Sequence, residues 1–202
     1  MCWNARVSWI TFIIGTLANI IFALLVPIYY RLWFVFFQFI ITVQLGEAFI
    51  WGETYAKLGS YIAFFSVWLQ PFMLCILLNY YDISPRLIYI QYILLVLYSV
   101  LSIPNLKTLS ENIKYPVQCG SSRHINFKTW DNNEGMAILY LTTTLLSVIF
   151  LFPEFYVIGA FLILTLIISL VFYSKVFASL WCWFAVFSPI VYYSGLRLTK
   201  KI

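Results

Sequence analysis

The chain has 202 residues, of which 63% are hydrophobic and 9% charged, with a formal net charge of +5 and a mean hydropathy of +0.94. An ordinary soluble domain carries about 25% charged residues, so a soluble fold of this length lacks the polar surface to cover itself; composition places the chain in a membrane, with lipid solvating its exterior. The basic excess sits mostly at the ends of apolar segments, as helix-end anchors near lipid headgroups, and no basic run interleaved with aromatics points to nucleic acid.

Charged residues divide the chain into seven windows of 19 to 24 residues. Each is long enough for a helix rising 1.5 Å per residue to cross ~30 Å of hydrocarbon. The first, Val7–Tyr30, is too long for a signal-peptide core, has no Ala-x-Ala site before Arg31, and is read as a span; no lipidation signature accompanies it. Thr11, Gly15 and Asn19 recur every four residues along it, a small-residue face suited to close packing. The second, Leu32–Trp51, contains Glu47. The third, Leu58–Tyr81, carries a second such face, Gly59, Ala63, Ser66 and Gln70, and the two stripes predict that helices one and three are central. Pro71 cannot donate to the Val67 carbonyl, which predicts a kink. "DISPR", residues 82–86, reads as a turn with Ser84 as N-cap and Pro85 at the first helical position, opening the fourth window, Leu87–Leu106.

Residues 107–134 form the one sizeable loop, a cap over the N-terminal side, here called side A. The fifth, sixth and seventh windows are Gly135–Pro153, Phe155–Ser174 and Val176–Leu196, with Pro189 predicting a second kink. Short connectors force consecutive helices to run antiparallel. The expectation is an all-α polytopic membrane protein, with about seven transmembrane helices in one bundle over residues 1–202, or six if one window is re-entrant.

Tryptophan and tyrosine favour the two membrane interfaces. Alternating helices place Trp3, Trp9, Trp51, Tyr55, Tyr61, Tyr173 and Trp181 near side A, and Tyr29, Tyr30, Trp33, Tyr80, Tyr81, Tyr192 and Tyr193 near the opposite side B; Trp68 and Trp183 lie deeper. Arg6, Lys57, Lys107, Lys114, Arg123, Lys128 and Lys175 fall on side A, against Arg31, Arg86, Arg197, Lys200 and Lys201 on side B. The sign of this difference reverses when the long loop is left out, so the positive-inside rule does not choose an orientation. Cys75 and Cys182 read as small apolar residues inside helices. Cys2 and Cys119 both lie on side A outside the core and form a disulfide if that side faces an oxidising compartment, or stay two unpaired thiols. The first alternative puts the N-terminus outside and the C-terminus in the cytosol.

Glu47 is the charge inside an apolar window. It lies four residues before Trp51, about 6 Å along the axis from that belt residue, and shares a helical face with Gln44 and Trp51. Ionisable residues within the membrane are costly and are functional candidates on that ground. Other polar groups fall at matching depths: Gln38 with Gln91, Asn19 with Gln70, and Ser102 with Ser169 near the level of Glu47. Together Glu47, Gln44, Asn19, Gln70, Gln38 and Gln91 outline a candidate ion or substrate path; the competing reading is that the uncharged ones hold helices together. The loop motif "VQCGSSRHINFKTW" holds the single histidine, His124. Cys119 and His124 are too little for a nucleophile and its base, and zinc lacks ligands there. No catalytic residue, metal or cofactor is assigned.

Several seven-helix classes are excluded. A retinal-binding pump needs an intrahelical lysine for its Schiff base, and zinc-dependent membrane hydrolases need several histidines. The PQ-loop transporters have Pro-Gln where "WLQPF" has Gln-Pro. The opening "MCWNARVSWITFIIGT" resembles the start of a family of small, uncharacterised multi-pass proteins of giant DNA viruses, mimivirus-like ones among them. Met1, Cys2, Trp3, Asn4, Val7, Ser8, Thr11 and Gly15 carry the resemblance, with Cys119, His124 and Trp130 as further candidates. It implies a viral multi-pass protein in a host or virion membrane and transfers no catalytic residue. The functional expectation is a small transporter or channel-like protein with a polar track around Glu47; the alternative is a structural or interaction protein of a viral or host membrane. The partners expected are the lipid bilayer and a small ion or solute, with a homo-oligomer left open.

Overall fold

Asn4 opens the first helix: its Oδ1 accepts the Val7 N–H at 2.9 Å and caps α1, Ala5–Leu25. The computed structural model describes residues 4–52, 54–82, 85–108, 117–119, 122–124, 134–173 and 177–202. α1 stops at Leu25 rather than at Tyr30. Pro27 has no N–H to continue the helix and pushes its predecessor out of the α region; Val26 is extended, at φ −106 and ψ 153. A 3-10 turn, Ile28–Tyr30, leads into α2, Leu32–Trp51, whose bounds are those predicted.

The prolines decide the later breaks. The third window is two helices, α3 (Ala56–Trp68) and α4 (Gln70–Tyr80), divided at Leu69 with Pro71 in the first turn of α4. The fourth becomes α5, Pro85–Thr108, starting on the proline as predicted and running past Leu106; Ser84 lies outside the described residues. Of the predicted cap the described part is an antiparallel ribbon, β1 (Val117–Cys119) and β2 (Ser122–His124), with Val117 opposite His124. This short ribbon lies within the segment expected to cap side A and leaves the all-α class unchanged. Its signal is Gly120-Ser121, two turn-forming residues between two short runs.

The fifth and sixth windows are two helices, taken together as α6, Glu134–Tyr173, and separated at Phe155, whose φ of −130 and ψ of 44 are not helical. Its two arms are residues 134–154 and 156–173. The seventh window is again two helices, α7 (Phe177–Ala185) and α8 (Ser188–Leu198), with Pro189 in the first turn of α8.

Contact pairs give the directions. Along α1 and α2, Trp9 meets Phe49 while Asn19 meets Phe34, so the two run antiparallel. The α5 pairs with the first arm of α6 run likewise, Gln91 to Ser147 and Tyr98 to Tyr140. So do those of α7 and α8 with the second arm, Trp181 to Leu162 and Gly195 to Val157. Each of these packed pairs is antiparallel, as short connectors require.

The expectation that helix one is central is corrected. α2 holds the centre, with twelve buried residues, whereas α1 buries only Ser8, Gly15 and Asn19. Its stripe is a one-sided contact face. The α3 stripe, Gly59, Ala63 and Ser66 with Gln70 of α4, is buried throughout. A Cβ on Gly59 would lie 2.5 Å from the Gly46 carbonyl oxygen and 2.8 Å from the Ile50 nitrogen, so these backbones touch with no room for a side chain.

At side B an aromatic cluster fills the bundle. Trp33 packs on Phe37, Phe155 and Tyr192, Tyr81 lies 4.6 Å from Phe155 between ring centroids, and Tyr29 joins Tyr80 and Tyr81. The side B belt residues therefore do gather, though Trp33 and Tyr192 are core rather than interface. On side A, Trp9, Phe49 and Tyr55 meet. Trp181, expected in that belt, is buried and donates from Nε1 to the Leu162 carbonyl.

Three helical segments are long and apolar enough to cross a membrane: Ala5–Leu25, Ile28–Trp51 and Ala56–Tyr80. Shorter apolar helices span Ile88–Pro104, Gly135–Leu151 and Phe155–Val171. The outer faces of α1 and α5 expose isoleucine, leucine and valine along their length. Contiguous apolar surface on that scale belongs against lipid. This is an all-helical membrane protein apart from its short ribbon.

Candidate functional site

Glu47 and Gln44 sit one turn apart on α2, each only 1% exposed. Their position follows from the helix: α2 is apolar on nearly every face, its small Gly46 lets α3 close down on it, and the third face carries the two polar side chains. Glu47 has an interaction partner of its own. Among the described residues the Nε2 of Gln44 is buried without a hydrogen-bond partner, as is Nε1 of Trp51 on the same face. A buried carboxylate is costly unless it is protonated or met by compensating groups, and so is chemically suited to taking up a proton.

The other predicted residues fall into separate clusters. Asn19 Nδ2 donates to the Phe34 carbonyl at 2.8 Å and to Gln38 Oε1 at 3.0 Å, and Gln38 Nε2 donates to Thr16 Oγ1 at 3.2 Å. This cluster joins α1 to α2. Gln70, at the start of α4, accepts from the Tyr140 hydroxyl of α6 at 2.6 Å. Gln91 of α5 donates from Nε2 to Ser147 Oγ at 2.6 Å and to the Thr143 carbonyl at 3.0 Å. The depth pairs inferred from topology, Gln38 with Gln91 and Asn19 with Gln70, thus sit at different helix interfaces. Ser102 accepts from Trp68 Nε1 at 2.9 Å, while Ser169 bonds back to its own helix.

A polar stripe on α6 escaped the sequence reading. Tyr140, Thr143, Thr144 and Ser147 are all buried and repeat at i, i+3, i+4 and i+7. That spacing is one helical face, so "YLTTTLLS" held the signal: α6 turns its hydroxyl groups toward Gln70 and Gln91. Within this region Gln70 Nε2, Gln91 Oε1 and Tyr98 Oη are buried without hydrogen-bond partners among the described residues.

At side B, Arg31 donates from Nε to the Val26 carbonyl at 3.2 Å, satisfying the C-terminus of α1. Arg197 lies over Tyr193 and Lys201 over Phe155. Burial raises the Tyr81 phenol above its ordinary range, and its hydroxyl donates to the Tyr29 carbonyl at 3.0 Å.

Cys75 and Cys182 are both buried inside helices. Cys2 and Trp3 lie outside the described residues, so the Cys2–Cys119 pairing falls there too. Among the described residues no three His, Cys, Asp or Glu side chains assemble into a metal-binding group. No protein-family model, curated protein or solved structure matches the chain.

Proposed function

We propose that the chain crosses the membrane seven times and handles a proton or small cation through Glu47 and Gln44 near side A. The observation that carries this is the burial of Glu47, 1% exposed on the central helix of an apolar bundle. Burying a carboxylate in hydrocarbon is expensive, and a helix built mostly from aromatic and aliphatic residues has cheaper ways to pack. The count of seven is supported by the two arms of α6 and by the alternating contact pairs. The path narrows to the α2 pair, because the hydrogen bonds of Asn19, Gln38, Gln70 and Gln91 tie them to neighbouring helices.

The second reading, a structural protein of the membrane, is favoured by those same bonds, since interhelical amides contribute ~0.6 to 2 kcal/mol each to association. The resemblance of the N-terminal segment to giant-virus proteins suggests a host or virion membrane for either role.

The experiment is a proteoliposome flux assay under an imposed proton or potassium gradient, native protein against Glu47→Gln. The proposal expects flux in the native protein that drops to the protein-free background in the variant. Equal absence of flux from two equally folded proteins establishes the structural reading instead.

A further inference from the structure

An open groove of ≈ 450 Å³ runs between α2 and α3, lined by Val35, Gln38, Phe39 and Thr42 on one wall and by Tyr61, Ile62, Phe65, Ser66 and Leu69 on the other. Both walls belong to segments long and apolar enough to cross a membrane, so in place the groove opens sideways into hydrocarbon. Most of the lining is aromatic or aliphatic, but its floor is not. Ser66 is 5% exposed and lines the groove. Its hydroxyl makes no hydrogen bond among the described residues, unlike Thr42, Ser99, Thr143, Ser147, Thr165 and Ser169, which each bond back to their own helix. Gln38 gives one amide hydrogen to Thr16 and keeps a second.

We propose that this groove binds a membrane quinone, an uncharged planar ring with carbonyl oxygens and an apolar tail. Three features select that chemistry. The groups with unused hydrogens, the Ser66 hydroxyl and the Gln38 amide, are donors and call for an acceptor oxygen on the ligand. Phe39, Phe65 and Tyr61 line the groove, and aromatic walls suit a planar ring. The depth is decisive: Gln38 lies six residues into α2 from Leu32, roughly 9 Å along the axis. That is inside the hydrocarbon, below the level at which a phospholipid headgroup or a sterol hydroxyl sits. A lipid that carries its polar atoms into the hydrocarbon without a charge meets the requirement. The inference concerns binding only and is independent of Glu47, which lies elsewhere on α2.

The test uses the full chain in nanodiscs with a short-tailed benzoquinone as the probe and an alkane of matching tail length as the control, bound ligand being read by saturation-transfer NMR. Saturable binding of the quinone and not of the alkane is expected. Ser66→Ala should weaken it by roughly five-fold, the value of one hydrogen bond. Ile62→Trp, which fills the groove from a half-buried position, should abolish it. Gln38→Leu is less clean because it also severs α1 from α2. Equal binding of the alkane would make this a plain acyl-chain groove and overturn the proposal. So would cholesterol displacing the quinone at equal concentration, quinone binding unchanged in both Ser66→Ala and Ile62→Trp, or a dimer in nanodiscs whose cross-links pass through Ile62.

Discussion

α1 and α2 are neighbours of nearly equal length and similar apolarity, yet the α1 window is 17% buried and the α2 segment 61%. In water two such helices would both be driven into the interior, because burial there follows apolar area. In a bilayer, lipid solvates isoleucine as well as another helix does, so apolarity does not drive helices together. Close packing and hydrogen bonds do. α2 has Gly46 against α3, the ring cluster around Trp33, and its polar face. α1 has Gly15 and the Asn19 cluster on one side and a row of isoleucines and leucines on the other.

That contrast can be broken deliberately, and the largest effect belongs to the α2–α3 contact. A Cβ at Gly46 would lie 2.7 Å from both the Gly59 oxygen and the Ala63 nitrogen. These are backbone atoms that cannot rotate away, so Gly46→Leu must part the helices. A loss above about 3 kcal/mol is expected, measured as unfolding in mixed micelles by SDS titration. Asn19→Leu comes next. It deletes the donor to the Phe34 carbonyl and to Gln38, and a cost of ~1 to 2 kcal/mol is expected; a neutral result would mean that α1 is held by packing alone. Leu17→Ala, at a position 55% exposed on the outer face of α1, should change stability by less than about 0.5 kcal/mol. A cost of several kcal/mol there would show α1 to be covered by protein rather than lipid.

The prolines and polar stripes show how unevenly the fold could be read beforehand. Pro27, Pro71 and Pro189 each mark a break, because a missing N–H is a local property that no neighbour supplies. The ends of α2 follow from Arg31 and the charged residues after Trp51 for an equally local reason: charge stays out of hydrocarbon. The break at Phe155 falls one residue from Glu154, the expected boundary between windows; what the sequence did not tell is that Phe155 packs there against Trp33, Tyr81 and Tyr192. In the candidate site, Glu47 and Gln44 stood out as polar exceptions in an apolar run. Tyr140 and Thr144 did not, since a hydroxyl in a membrane helix is ordinary until its partner is known.

By itself the sequence determined the solvent, the bounds of α2 and the interruptions at Pro71 and Pro189, because each of these depends on one residue or one window meeting water or lipid. Only the tertiary structure decided that α2 rather than α1 is central, that Gln70 faces Tyr140 and Gln91 faces Ser147, and that Ser66 opens on a groove. Depth is set along the membrane normal by the bilayer. Which helix stands beside which is set in the membrane plane, by contacts between residues far apart in the chain, and hydropathy carries no information in that direction.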